Sequence, residues 1–434
     1  MRDLTSRLRE IVRRDGGAAR APVEPPRELT YVPDVAEPVD RSSGDDDVHG
    51  RPAGDDEACV VIEERYAADR SHGRRAIDAY APVPDAPLHL FDPRAASSAD
   101  WARRVVFFDI ETTGLSGGAG TIAFLAGCGW FEPDGFVVRQ FFLASPSGEK
   151  AMLAALAGVF REASLLVTYN GRTFDVPFME TRWAFHRERV PTDDVPHFDL
   201  LPSARRLWRR REAAGDAGCS LSTLEGAVLD FHRIGDVPGF EIPARYFQFL
   251  RSGDRTVVDG VLEHNRHDLV SLAALMSHAL WLASEGPMAC RESSERLALG
   301  RLYERAGRTD AAAEAYDLAA RTDDPSMRCD ALAHLAVLHR RARRFDEAAV
   351  CWQAVLDTVG RRRGPLAVMA QRAAEALAIH HEHRSKDVAT ARRYAEVLRR
   401  GADGRGERDA VHRLDRLNRK IERSTGQLSW ETGN

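Results

Sequence analysis

No apolar run in the sequence approaches the ~20 consecutive residues that an α-helix needs to cross a bilayer, so a helical membrane span is excluded. Paired cysteines are missing as well. Cys59, Cys128, Cys219, Cys290, Cys329 and Cys351 stand far apart with no C-x-x-C spacing, which argues against a disulfide framework and against a zinc knuckle, and they read as buried thiols. There is no Walker-type loop, and the glycines between Gly114 and Gly120 lack the spacing and the following helix of a dinucleotide fingerprint. Nor is there a strong charge of one sign. With a net charge of −5, any binding of nucleic acid must come from local basic patches and bound metal. The first residues are charged and amphipathic and lack the apolar core of a secretory signal, from which a cytoplasmic location is expected.

What is present is the composition of a globular protein, 44% hydrophobic and 29% charged, in a chain of 434 residues that should hold two or more units. Residues 1–85 are rich in Pro, Gly, Asp and Arg and predict a mostly disordered region. Within it, Leu4, Leu8, Ile11 and Val12 recur at helical spacing, so a docking helix over 4–12 is expected. From Trp101 the texture changes. The apolar run Val105-Val106-Phe107-Phe108 ends at Asp109 and predicts a buried strand that runs into a Gly-rich turn. Residues 122–130 and 136–143 are apolar and flank Pro133-Asp134-Gly135, which predicts a β-meander. A helix over 149–162, a strand over 165–169, a helix over 174–188 and a strand over 195–200 complete an α/β pattern, a mixed sheet with covering helices.

After Met288 the sequence becomes Ala-rich and helical. Arg305 to Ala312 returns as Arg341 to Ala348 at an offset of 36, and a weaker copy surrounds Lys386 to Ala389. Leu299-Gly300 and Tyr303 on a first helix, with Ala312 and Tyr316 on a second, resemble tetratricopeptide spacing. An all-α helical-repeat domain over 290–425 is expected.

Four acids stand where a purely structural role explains them poorly. Strand alternation puts Asp109 and Glu111 on one face with Ile110 opposite, and two adjacent carboxylates are tolerated best around divalent cations such as Mg²⁺ or Mn²⁺. Asp175 follows Asn170-Gly171 at a strand-to-helix turn, from which it can point back at the first strand, or else cap the helix that begins at Val176-Pro177. Asp268 lies on a helical segment one turn after His264, on the same face.

In order, Asp109-x-Glu111, then Asn170-Gly171-x-x-Phe174-Asp175, then His264-Asn265-x-x-Asp268-x-x-Ser271-Leu272 resemble the three motifs of the DEDD exonuclease superfamily. More narrowly they resemble its YprB-like group of RNase H-like nucleases. The likeness covers about residues 103–282 and takes in linking pieces at 197–201, 221–225 and 242–247. It implies an RNase H-like 3′→5′ exonuclease domain over 100–284 that holds two Mg²⁺ or Mn²⁺ ions on Asp109, Glu111, Asp175 and Asp268. Asp109 would bridge the ions, Glu111 and Asp268 would complete the site on the water side, and Asp175 the site at the leaving oxygen. Asn170, Thr112 and Asn265 are the implied substrate contacts. Members place a tyrosine four residues before the last Asp or a histidine five before it. Here Glu263 has the histidine spacing and His264 the tyrosine spacing, and His264 is taken as the group that accepts the proton of water.

Several residues carry two readings. Asn170 binds substrate or holds its turn, and Asp199 is expected to cap the helix at Pro202 rather than enter the site. His267 is expected to pack off the His264–Asp268 face. The run from Arg205 to Arg211 either clasps a phosphate backbone with Trp208 stacked on a base, or is a solvated helix face with a half-buried Trp. The function expected is hydrolysis at single-stranded DNA or RNA ends, with a protein partner for the repeats. The alternatives are a catalytically weak nucleic-acid-binding scaffold and a structure-selective endonuclease.

Overall fold

The computed structural model describes residues 50–52, 58–98, 100–114, 120–209, 218–360, 364–401 and 404–431. The helix expected over 4–12, most of the Gly-rich turn after Gly114, and Arg210 and Arg211 lie outside these. The strands are β1 (Gly50–Pro52), β2 (Cys59–Ala67), β3 (Ser71–His72), β4 (Arg75–Ala76), β5 (Val105–Thr112), β6 (Ala123–Glu132), β7 (Gly135–Leu143), β8 (Leu165–Thr168) and β9 (His197–Asp199). Seven of them form one mixed sheet in the order β1-β2-β7-β6-β5-β8-β9, and β3 and β4 form a separate hairpin. The β5-β6-β7 meander is antiparallel, and β8 and β9 add parallel to β5.

The run Val105 to Phe108 is apolar throughout because both faces of β5 are covered. Val106, Phe108 and Ile110 pack with Met152, Leu156 and Phe160 of helix Glu149–Glu162. Val105 and Phe107 face the opposite layer, with Leu269 and Ala273 of helix Thr256–Glu285. That 30-residue helix crosses the meander closely enough to need glycine beneath it. A Cβ on Gly127 would sit 2.2 Å from Asn265 Oδ1, and one on Gly129 would sit 2.5 Å from Phe136 Cζ and 3.5 Å from Leu269 Cβ.

The expectation of disorder through residue 85 is corrected from Ala58 onward. β2 pairs with β7 along its whole length, from Cys59 opposite Leu143 to Ala67 opposite Gly135. Its solvent-facing charges find cross-strand partners, Glu63 with Arg139 at 2.7 Å and Arg65 with Glu132 at 2.8 Å. Beyond it, buried His72 meets Ser271 of the long helix, Nε2 to Oγ at 2.8 Å, and Ile77 and Tyr80 join the same core. The sheet unit therefore starts well before residue 100. A short apolar strand was masked by its Pro- and Asp-rich flanks.

After the sheet come helical hairpins, Ser293–Arg305 with Thr309–Ala319, Pro325–Arg341 with Phe345–Val359, and Pro365–His383 with Val388–Gly401, then helix Gly404–Glu431. The echo at offset 36 is a repeated turn. Gly307 and Arg343 both take left-handed conformations, at φ 74° and 60°, between the helices of their hairpins. Gly300 is required there, because a Cβ on it would meet the Tyr316 ring at 2.6 Å. Trp208 is buried at the junction and donates Nε1 to Glu295 Oε1 at 3.2 Å, so it is not the base-stacking platform that the basic run suggested. The indole's apolar area fills the seam between sheet and hairpins. No helix among the described residues is long and apolar enough to cross a membrane.

Gly127→Ala should destabilise the protein by about 1–3 kcal/mol by overpacking against Asn265. Gly158→Ala, in helix Glu149–Glu162 with its nearest neighbour the flexible tip of Arg161 at 3.8 Å, should be neutral or slightly stabilising. Urea midpoints of the two variants, measured side by side, check both; equal midpoints would remove the close crossing.

Candidate active site

At the end of β5, Asp109 and Glu111 project from the face covered by helix Thr256–Glu285, where each is partly buried. Asn265 fixes the first of them, donating Nδ2 to Asp109 Oδ2 at 2.8 Å while its Oδ1 accepts from Gln140 Nε2 at 2.8 Å. Asn265 has no solvent exposure, so this expected substrate contact lies beneath Asp109 instead. Thr112 is also buried and donates Oγ1 to Gly114 O at 3.0 Å. Asn170 holds its own turn, in a left-handed conformation at φ 69° with Oδ1 accepting from Thr173 Oγ1 at 2.8 Å. Asn265 and Thr112 are thus turned inward, whereas Asn170 is exposed.

Asp175 is the first residue of helix Asp175–Phe185, whose N-cap is Phe174, and its carboxyl is buried. Asp199 takes the structural role expected of it. Its carboxylate accepts from the backbone N–H groups of Asn170 (2.9 Å), Arg172 (3.1 Å) and Leu201 (3.1 Å), tying the turn before Asp175 to the start of the next helix. His267 packs on Phe231, with ring centroids 5.3 Å apart.

The long helix supplies His264 and Asp268. His264 Nε2 lies 3.5 Å from Asp268 Oδ2 and 3.9 Å from Glu111 Oε1, so the three side chains can bring ligand atoms within 4.8 Å of one another. Three further residues complete the surroundings: Glu225, which ends the linking piece 221–225, and Arg233 and Asp236, which no motif or spacing marked. Glu225, in the π-helical turn Glu225–Leu229, is almost fully buried and receives Arg233 through two hydrogen bonds, at 2.8 and 2.6 Å. Arg233 Nη2 also donates to Asp268 Oδ1. Asp236 then accepts from Arg233 Nη1 at 3.3 Å and from His264 Nδ1 at 2.8 Å. Arg233 and Asp236 come from an irregular loop, which has no periodicity to read.

Electrostatics make this a site and not merely a packed corner. Burial, followed by the charges of Asp268, Glu111 and Asp175, pushes the Asp109 carboxyl well above the usual range. Burial and then Asp268 and Asp175 do the same to Glu111. Asp175 is raised to about 7 by burial, with Asp199 and Asp268 adding to the effect. Burial works against the charge on Arg233, but its bonds to Glu225 and Asp268 outweigh that and keep it firmly protonated. One guanidinium, already shared with Glu225, cannot balance these acids. Hard oxygen donors short of positive charge fit a divalent cation.

The profile of the RNase_H superfamily matches residues 106–280, the segment that carries all four acids. Along most of its length the chain is similar to the uncharacterized protein YprB of Bacillus subtilis (strain 168), with 31% identity over 378 residues, 84% of this chain and 87% of that one. Among solved structures, the family B DNA polymerase from the hyperthermophilic archaeon Pyrobaculum calidifontis aligns with a TM-score of 0.33 at 13% identity, spanning 55% of this chain and 29% of the polymerase.

Raised carboxyl values predict how stability depends on pH without metal. For Asp175 the stabilising protonated form is fully present below about 4 and is lost as pH rises through about 7, at roughly 1.4 kcal/mol per pH unit. In EDTA, Asp175→Asn should therefore gain thermal stability over the wild type progressively between about pH 4 and 7, and Mn²⁺ should close the gap by stabilising the wild type more. A constant difference across that window would mean that the carboxyl is not strained.

Proposed function

We propose, because the chain belongs to the RNase_H superfamily and shares most of its length with YprB, that the protein is a metal-dependent nuclease that hydrolyses phosphodiester bonds. Its finer form is a 3′→5′ exonuclease on single-stranded DNA or RNA ends, as the order of the DEDD-like motifs implies. The observation that supports the reading is that Glu111, Asp268 and His264 bring ligand atoms within 4.8 Å of one another, while Asp109 and Asp175 lie near enough for the charges of these acids to raise their carboxyl values.

Asp109, Glu111, Asp175 and Asp268 would hold two Mg²⁺ or Mn²⁺ ions. When bound, these supply the positive charge that lets a phosphodiester approach the carboxylates and that stabilises the charge developing in cleavage. The remaining work falls to the chain's own groups. Asn265 keeps the Asp109 carboxylate from rotating, and Arg233 holds the Asp268 carboxylate in place. His264 Nε2, which faces Glu111 and Asp268, accepts the proton of the attacking water. The hairpins after the sheet, read as tetratricopeptide-like, would present a surface to a protein partner in a cytoplasmic setting.

Purified protein incubated with end-labelled and circular single-stranded DNA and RNA, in Mg²⁺, Mn²⁺ or EDTA, tests this. Cleavage of the labelled ends with release of mononucleotides, sparing of the circle and loss in EDTA are expected. Asp109→Ala should lower the rate at least a hundredfold, and His264→Ala about a hundredfold with metal affinity largely retained. Cleavage of the circle would make it an endonuclease. Equal product from wild type and Asp109→Ala, or none from either, would leave the scaffold reading.

A further inference from the structure

We propose that Asp236 is a positioning residue that holds the ring of His264 through Nδ1, so that Nε2 is turned towards Glu111 and Asp268 and the tautomer with its proton on Nδ1 is favoured. Its kinetic consequence rests on the nuclease reading; its structural consequence does not. Asp236 Oδ1 stands 2.8 Å from His264 Nδ1 and only accepts, whereas Arg233 Nη1 stands 3.3 Å from the same nitrogen and only donates, so the shorter of the two contacts sets the proton on Nδ1. Nε2 is then the free lone pair, and it lies on the side of the ring where Asp268 Oδ2 and Glu111 Oε1 are 3.5 and 3.9 Å away. A free neutral imidazole prefers the opposite tautomer, and a group meant to accept a proton at Nε2 is useless in that form.

The carboxylate that sets the ring is itself set from both sides in the chain. Three residues before it, Arg233 is buried, chelated by Glu225 and joined to Asp268, and it donates Nη1 to Asp236 Oδ2 at 3.3 Å. One residue after it, Val237 fills the space above Gly260, where a Cβ would come within 2.8 Å of Val237 Cγ2. Gly260, His264 and Asp268 follow one another at four-residue intervals on the long helix, so the loop runs alongside that face with Val237, Asp236 and Arg233 as its three contacts. The helix presents the two reactive side chains, and the loop decides how they stand.

Arg233 also sharpens the test. In Asp236→Asn the new amide has one oxygen and one NH₂, and Arg233 can only donate, so the charge-assisted bond takes the oxygen and leaves NH₂ facing His264 Nδ1. Nδ1 must then accept, and the proton moves to Nε2. Two-bond ¹H–¹⁵N spectra of metal-free protein labelled at histidine, recorded at mildly alkaline pH with His264 assigned by comparison with His264→Gln, read the tautomer directly. The expected result is Nδ1–H in the wild type and Nε2–H in Asp236→Asn. In the nuclease assay, Asp236→Asn should lower kcat ten- to a hundredfold with KM and Mn²⁺ affinity within about threefold. A wild-type ring protonated at Nε2 overturns the proposal whatever the variant does. So does an unchanged tautomer in a folded Asp236→Asn, or a loss expressed in KM and metal affinity alone. Absence of nuclease activity in the wild type would sink the function proposed above and leave the tautomer to decide this one.

Discussion

Everything at the end of β5 depends on how closely helix Thr256–Glu285 can lie on the meander. Gly127 removes the side chain that would hold the helix away, and Asn265 descends into the gap to reach Asp109 and Gln140 together. That contact sets the height and rotation of the helix. His264 and Asp268, one turn apart, then face the acids of β5, while Leu269 and Ala273 fill the core below. A larger residue at Gly127 would not only cost packing energy; it would lift two of the groups that the site is built from.

The closeness has an electrostatic cost. Asp109, Glu111 and Asp175 are held where burial and mutual repulsion resist their ionisation, and the Arg233 guanidinium bonded to Asp268 is shared with Glu225 and Asp236. A corner selected for stability would carry apolar or amide side chains. Strain of this kind persists when a ligand of opposite charge relieves it, so the same feature that weakens the metal-free fold defines what the site attracts.

Legibility in the sequence followed locality. Strand alternation in β5 places Asp109 and Glu111 side by side with no tertiary information, and the helix predicted over 149–162 appears with those bounds because its apolar spacing and its flanks agree. Asn265 shows the limit of a motif. It adjoins His264 in sequence, yet about 100° of helical rotation turns it to the sheet and His264 to the loop. Arg233 and Asp236 escaped for a different reason, since an irregular loop carries no period and their partners on the helix are 28 to 35 residues away. β2 failed through context. Its residues pair with β7 along their whole length, but composition averaged over Pro- and Asp-rich flanks hid a nine-residue strand.

The helical region is joined to this machinery at one end and independent of it at the other. Trp208, Leu207 and Ala204 belong to the same apolar cluster as Leu297, Ala298 and Leu302, and that cluster continues through the second hairpin to Ala373. Beyond it, Ala391, Ala395, Leu414 and Leu417 form a separate small core, and Glu382 anchors helix Gly404–Glu431 through Arg416 and Lys420 at 2.6 Å each. In a stacked array each unit is stabilised by its neighbours alone, so the first hairpin shares the stability of the sheet and the last helices do not. Loss of the distal helices would expose their small core while leaving the seam at Trp208 and the Asn265 crossing intact. The base of the tail is thus part of the sheet unit's fold, and a surface free for other contacts is best sought towards its tip.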